Sequence, residues 1–235
     1  MLDYPRPAAD RGAVDMGWLQ SRHSFSFGSY YDPAHMGWSV LRVINDDEVA
    51  PGAGFGTHGH RDMEIISYVL EGALEHRDSM GHSSILRAGE VQRMTAGTGV
   101  QHSEFNASRT DPVKFLQIWV MPERSGLQPS YEQKPFARQP GLQALVTRDG
   151  REGSLKIHQD MQLLQLELEP GEQRDLAQPE RWGYLHVLQG QAELHQRSLG
   201  QADAVGWRET SSATVKAGPE GLQALVFDLP AGAHG

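Results

Sequence analysis

The chain has 235 residues and no cysteine, and its 21 lysines and arginines against 30 aspartates and glutamates give a net charge of −9 with histidine neutral. Disulfides and thiolate metal ligation are therefore excluded, and without any run of basic residues a direct nucleic-acid footprint is not expected. The N-terminal stretch MLDYPRPAADRG lacks the apolar core of a secretory signal, and no apolar run reaches membrane-spanning length, so a soluble, cytoplasmic protein with no membrane partner is expected. Its 26 glycines and 13 prolines favour many short strands over long helices, and the length accommodates one large β domain or two small ones.

In chain order, His23, Phe25 and Phe27 alternate with Ser24 and Ser26, as a half-buried strand would. A turn at Tyr31-Asp32-Pro33 precedes an apolar strand over residues 39–44. His23 and His35 have no partner at ligand spacing and are read as ordinary strand and loop residues, His35 near a pocket mouth. The stretch GAGFGTHGHRDMEIISYVLEG, residues 52–72, carries His58 and His60 two apart. On a strand both imidazoles project from one face, about 6.6 Å apart along the chain at roughly 3.3 Å per residue. His102 and Glu104 in GTGVQHSE repeat the spacing with a carboxylate as the second member. Either pair alone reads as the solvated face of a strand. Both, however, are embedded in glycine, which weakens a strand unless the backbone must bend or something must approach it closely. The four residues are accordingly expected to bind one metal ion. Glu64 shares the parity of His58 and His60 but would lie about 13 Å beyond His60 on a continuous strand, so it is expected to orient a histidine by hydrogen bonding. Phe55, Met63 and Met94 are the expected pocket walls.

Strands are expected over residues 65–70, 73–77 and 85–94, and over VKFLQIWVM at 113–121, with Phe115 and Trp119 on one face and Leu116, Ile118 and Val120 on the other. Residues 122–141 carry four prolines and no hydrophobic period and read as a linker. Strands resume at 142–147, 155–158, 163–168, 184–188, 192–195 and 222–229. VLQGQAELH at 187–195 echoes VLEGALEH at 69–76, which suggests two copies of one β unit. No histidine occurs near the positions half a chain after His58 and His60, so the second copy is expected to lack the metal. Its histidines, His158, His186 and His195, are read as structural.

FGTHGHRDMEIISYVLEG, AGTGVQHSEFN, SFSFGSYYDP and GSLKIHQDM together resemble the pirin family of the cupin superfamily, particularly its bacterial quercetinase-like members, over nearly the whole chain. The resemblance implies an all-β bicupin of two tandem cupin-type barrels, residues 1–130 binding metal and residues 131–235 forming a barrel without ligands. It places the ligands on His58, His60, His102 and Glu104, with Gly59 standing where pirins commonly have proline and Thr95 where the general cupin motif has it. It also implies quercetin 2,3-dioxygenase activity, an oxidoreductase reaction in which a small aromatic substrate chelates the open metal positions, Glu104 acts as base and dioxygen cleaves the ring. A nitrogen and oxygen ligand set suits one divalent transition metal, iron first, with Mn, Ni, Co, Cu or Zn as alternatives. Two other readings remain: a regulatory or redox-sensing metalloprotein acting through protein partners, and another cupin chemistry such as isomerisation or decarboxylation.

Overall fold

A computed structural model describes residues 4–209 and 212–232. The strands are β1 (Tyr4–Arg6), β2 (Gly12–Asp15), β3 (Leu19–His23), β4 (Leu41–Val49), β5 (Gly54–His60), β6 (Glu64–Glu71), β7 (Ala73–Asp78), β8 (Ser83–Arg87), β9 (Glu90–Thr95), β10 (Val100–Asn106), β11 (Val113–Val120) and β12 (Ser130–Pro135). They continue with β13 (Gly141–Thr147), β14 (Leu155–Lys156), β15 (Gln162–Leu168), β16 (Gln173–Asp175), β17 (Arg181–Leu194), β18 (Arg197–Leu199), β19 (Ala204–Trp207) and β20 (Thr214–Pro230). Among the described residues the helices are two single 3-10 turns, and none is long and apolar enough to cross a membrane.

The first cupin-type unit sets the sheet β12-β9-β6-β11-β4-β3-β2 against the sheet β5-β10-β7-β8. The second unit curls one sheet around itself, β1-β19-β17-β20-β15-β13-β14 with β16 and β18 attached. The alternation in β11 explains how the units join. Phe115 faces inward with Leu19, Val69 and Leu74, whereas Leu116, Ile118 and Val120 face outward and pack with Leu145, Tyr184, Leu225 and Phe227 of the second unit. The largest apolar core therefore lies between the two units, and burying it fixes them against each other.

Several expectations need adjusting. The segment read as a linker contains β12, which pairs along β9; an edge strand half-buried on both faces over residues 130–134 carries no hydrophobic period. The expected boundary at residue 130 falls at the start of this strand, and the chain changes sheets between β12 and β13, while β1 crosses the other way to pair with β19. The expected strand around Phe25 ends at His23, because Arg6 Nε donates to the Ser24 carbonyl at 2.7 Å and Phe25 turns into the inter-unit core. Residues 184–188 and 192–194 belong to one strand, β17, whose register shifts at Val187/Gln189 and Gly190/Ala192 let it bend, and His195 lies just past its end.

A buried ion pair also ties the units together. Arg11, its side chain fully buried, donates to Asp46, and His186 Nε2 from the second unit lies 3.6 Å from the same carboxylate. Burial alone would raise the Asp46 carboxyl, but His186 and Arg11 hold it below the usual carboxylate range. A depressed carboxyl stabilises the fold above its unfolded pKa and loses that contribution as pH falls toward its folded value. Asp46→Ala leaves Arg11 buried without its partner and is expected to cost roughly 3–5 kcal/mol at pH 7. Urea unfolding checks this: the gap from wild type should narrow below about pH 4, and a loss under about 1 kcal/mol at pH 7 would remove the pair from the account of stability.

Candidate metal centre

β5 and β10 are antiparallel neighbours, with His102 opposite His58 and Val100 opposite His60. Strand alternation puts His58, His60 and His102 on the face turned toward the interior of the first unit. His60 Nε2 and His58 Nε2 stand 2.9 and 3.1 Å from His102 Nε2. His58 Nδ1 lies 2.8 Å from the Gly56 carbonyl, a contact that needs the proton on Nδ1 and leaves the Nε2 lone pair facing its neighbours. Burial, reinforced by the other histidines, lowers His60 to about 4 and His102 to about 3. Both rings are thus neutral at pH 7, as metal ligation requires. Three imidazole nitrogens with converging lone pairs fit a divalent cation, which removes their mutual repulsion.

Two of the glycines around the motifs are required by close backbone approach. A Cβ on Gly54 would stand 2.3 Å from the Glu104 carbonyl, so β5 can approach β10 only with glycine there. Gly97, at φ +46, would put a Cβ 2.0 Å from the Leu127 carbonyl.

Glu104 is buried on β10 beyond a register shift. Its Oε1 accepts from Gln92 Nε2 at 2.8 Å and Ser67 Oγ at 3.2 Å, and its Oε2 accepts from Gln117 Nε2 at 2.6 Å. A carboxylate has about four lone-pair directions, so three donors leave one for an ion. Its oxygens group with His102 and with His76, which stands opposite Glu104 on β7, the ligand atoms within 4.8 Å of one another. His76 Nε2 contacts Asp78 Oδ2 at 3.1 Å, and its ring stacks on Tyr131. Among the described residues, the two His and carboxylate groups close enough to share an ion are this one and the His58, His60, His102 triad, both in the first unit.

A cavity of about 360 Å³ opens on the triad, with Leu19, Phe27 and Phe55 among its apolar walls. Phe55 is one of the expected pocket residues that line it. Met63 and Met94 are not: they pack with Ile65, Ala96 and Val100 in a separate apolar cluster. Glu64 also departs from expectation. Its buried carboxylate accepts from Thr95 Oγ1 at 3.0 Å and faces His158 Nδ1 of the second unit at 3.3 Å, so the histidine it orients is not one of the triad. His23, read as an ordinary strand residue, lines the cavity, and burial lowers it to about 4. His35 contacts Tyr4 and does not line the cavity. Ser67, Gln92 and Gln117 were missed altogether. Ser67 and Gln117 carry one sequence signal, a polar side chain between apolar neighbours in EIISYVLE and VKFLQIWV, whereas Gln92 in EVQRMT carries none.

The family model described as Pirin matches residues 6–120, and that of the quercetinase C-terminal cupin domain matches residues 144–229. The chain is 45% identical to a quercetin 2,3-dioxygenase of Escherichia coli K12 over 229 residues, 97% of this chain and 98% of that protein. It is 40% identical to a putative quercetin 2,3-dioxygenase of Zymomonas mobilis over 218 residues, 90% of this chain and 92% of that one. Its structure matches the crystal structure of YhhW from E. coli with a TM-score of 0.95 at 45% identity, covering 99% of both chains. It matches the bacterial pirin YhhW in complex with nickel(II) with a TM-score of 0.93, covering 97% of this chain and 98% of that one. With this identity spread over both units, the chain belongs to the pirin family of two-cupin proteins.

Proposed function

We propose that the protein is a metal-dependent dioxygenase that cleaves a flavonol of the quercetin type with dioxygen. The observation that carries this reading is the convergence of three imidazoles on a cavity with aromatic and aliphatic walls. His58, His60 and His102 would hold the ion through Nε2 and Glu104 through its remaining lone pair, with iron as first candidate and nickel as competitor, the latter because YhhW has been solved with nickel(II). When bound, such an ion supplies Lewis-acid and dioxygen chemistry and lowers the pKa of a hydroxyl held against it. Phe55 and Phe27 would flank the flat rings and keep water away from them. Glu104 would accept the 3-hydroxyl proton, giving up one of its three hydrogen bonds as it does so.

Elemental analysis of purified protein, paired with quercetin turnover in air and under anaerobic conditions, tests the reading. About one metal per chain and turnover that stops without oxygen is the expected result. Metal bound with no oxygen-dependent turnover would replace it with the regulatory reading, and turnover that persists without oxygen would replace it with a non-oxidative cupin chemistry.

A further inference from the structure

The hydrogen bonds around Glu104 do not end at its immediate neighbours. An ionised carboxylate only accepts, so Gln92 must present its nitrogen to Glu104, and Gln92 Nε2 stands 2.8 Å from Glu104 Oε1 and 2.9 Å from Ser67 Oγ. Both amide protons are then committed. Gln92 is 1% exposed, so its remaining oxygen needs a donor from the protein. Tyr131 on β12 supplies it, donating from its hydroxyl to Gln92 Oε1 at 3.0 Å.

The phenol has one proton and two acceptors in reach, Gln92 Oε1 and Gln133 Oε1, both at 3.0 Å, with Ser84 Oγ at 2.7 Å. Gln133 is half-buried and water can serve its oxygen, whereas the buried Gln92 has no such substitute. The proton therefore goes to Gln92, and Ser84 donates to the phenol oxygen. Burial pushes the phenol up to about 12, which keeps it a donor through the neutral range. The ring stacks on His76 and on His82, with centroids 4.6 and 5.0 Å away, and Asp78 contacts both imidazoles, His76 Nε2 at 3.1 Å and His82 Nδ1 at 3.0 Å. His76 in turn stands opposite Glu104 on β7. Tyr131 is thus held in place by side chains that flank the same carboxylate.

We propose that Tyr131 is a positioning residue for Glu104, fixing the Gln92 amide so that the carboxylate keeps its orientation beside His102. The inference rests on the dioxygenase reading for what Glu104 does there. Without the phenol hydroxyl, Gln92 Oε1 is a buried acceptor with no donor, and the amide turns to find one. Glu104 Oε1 then loses its shorter hydrogen bond, and the carboxylate is free to rotate. Neither Tyr131 nor Gln92 lines the cavity that opens on the triad, so the effect falls on turnover and not on substrate affinity.

The variants are Tyr131→Phe, which keeps the ring and its stacking, Gln133→Leu, which removes the competing acceptor, and Gln92→Leu alone and combined with Tyr131→Phe. Each is loaded to equal metal occupancy for kcat and KM with quercetin in air, and the d–d absorption of the cobalt(II) form reports the ligand arrangement without turnover. Tyr131→Phe is expected to lower kcat about tenfold, as loss of a group supporting a metal ligand does, with KM near the wild-type value and a shifted cobalt spectrum. In the Gln92→Leu background it should change neither, and Gln133→Leu should behave as wild type. A kcat or a cobalt spectrum unmoved in Tyr131→Phe, an equal loss in both backgrounds, or the same loss in Gln133→Leu would overturn the inference. If Gln92→Leu fails to fold, the comparison of Tyr131→Phe with Gln133→Leu decides it. A wild type that does not cleave quercetin would refute the dioxygenase reading, and the cobalt spectra would then uphold or overturn the role of Tyr131 by themselves.

Discussion

Glu104→Gln is expected to lower quercetin turnover by roughly 10²–10⁴-fold, the usual worth of a positioned general base, while the protein still folds and still takes up metal. The substitution is nearly isosteric but exchanges a carboxylate oxygen for an NH₂ group inside a shell of donors. Gln92 Nε2, Ser67 Oγ and Gln117 Nε2 all point at the present oxygens, at 2.8, 3.2 and 2.6 Å. At least one donor then meets another donor. Gln117 can relieve this by turning its amide, which costs part of the metal affinity but not the fold. Turnover must therefore be compared at equal metal occupancy, in metal-supplemented buffer with the content measured in the same sample. Unchanged turnover at full occupancy would show that Glu104 accepts no proton in the reaction.

His102→Ala is expected to have the largest effect of any single substitution. His102 is the shared member of the triad, its Nε2 within 3.1 Å of both other Nε2 atoms, and it is only 2% exposed. Losing groups that merely support a ligand costs about 10–100-fold in metal affinity or activity, so losing the central ligand should cost more than that and abolish turnover. A thermal measurement separates this from misfolding. Metal at about 100 times its Kd stabilises wild type by about 2.7 kcal/mol through binding linkage. The metal-free Tm of His102→Ala should stay near that of wild type, because a neutral ring whose Nδ1 has no hydrogen-bond partner among the described residues contributes little to the fold. Added metal should then raise the wild-type Tm and leave the variant's unmoved. An equal metal-induced rise in both would place the ion elsewhere, with His76 the next residue to substitute.

Much of the architecture was legible because it is written in short-range pattern. Alternation in VKFLQIWV separated Phe115 from Leu116, Ile118 and Val120, and these do face different cores. Of the glycines around His58 and His102, Gly54 and Gly97 do meet another stretch of backbone closely, whereas Gly52 and Gly56 have open space where a side chain would stand. What failed, failed through geometry that crosses the chain. Parity linked Glu64 to His58 and His60, but the residues between β5 and β6 carry the two strands into different sheets, and Glu64 ends beside Thr95 and His158. Met94 looked like a pocket wall because it is apolar and near the second motif; it lies one cross-strand line away from Gln92, fully buried with Ile65, Ala96 and Val100.

By itself, then, the sequence determined the strand content and the two strand-borne pairs of candidate ligands, which depend on neighbours two positions apart, and the two-unit plan, which shows as a repeat between the halves of the chain. Only the tertiary structure decided what surrounds that site. Cross-strand register brings His23, Asn45, Gln117, Ser67 and Gln92 into one line, although they come from five different strands. Register is a property of pairs of strands, fixed by bulges, turns and the burial of a whole face, and no local pattern in any one of those strands encodes which residue will stand opposite.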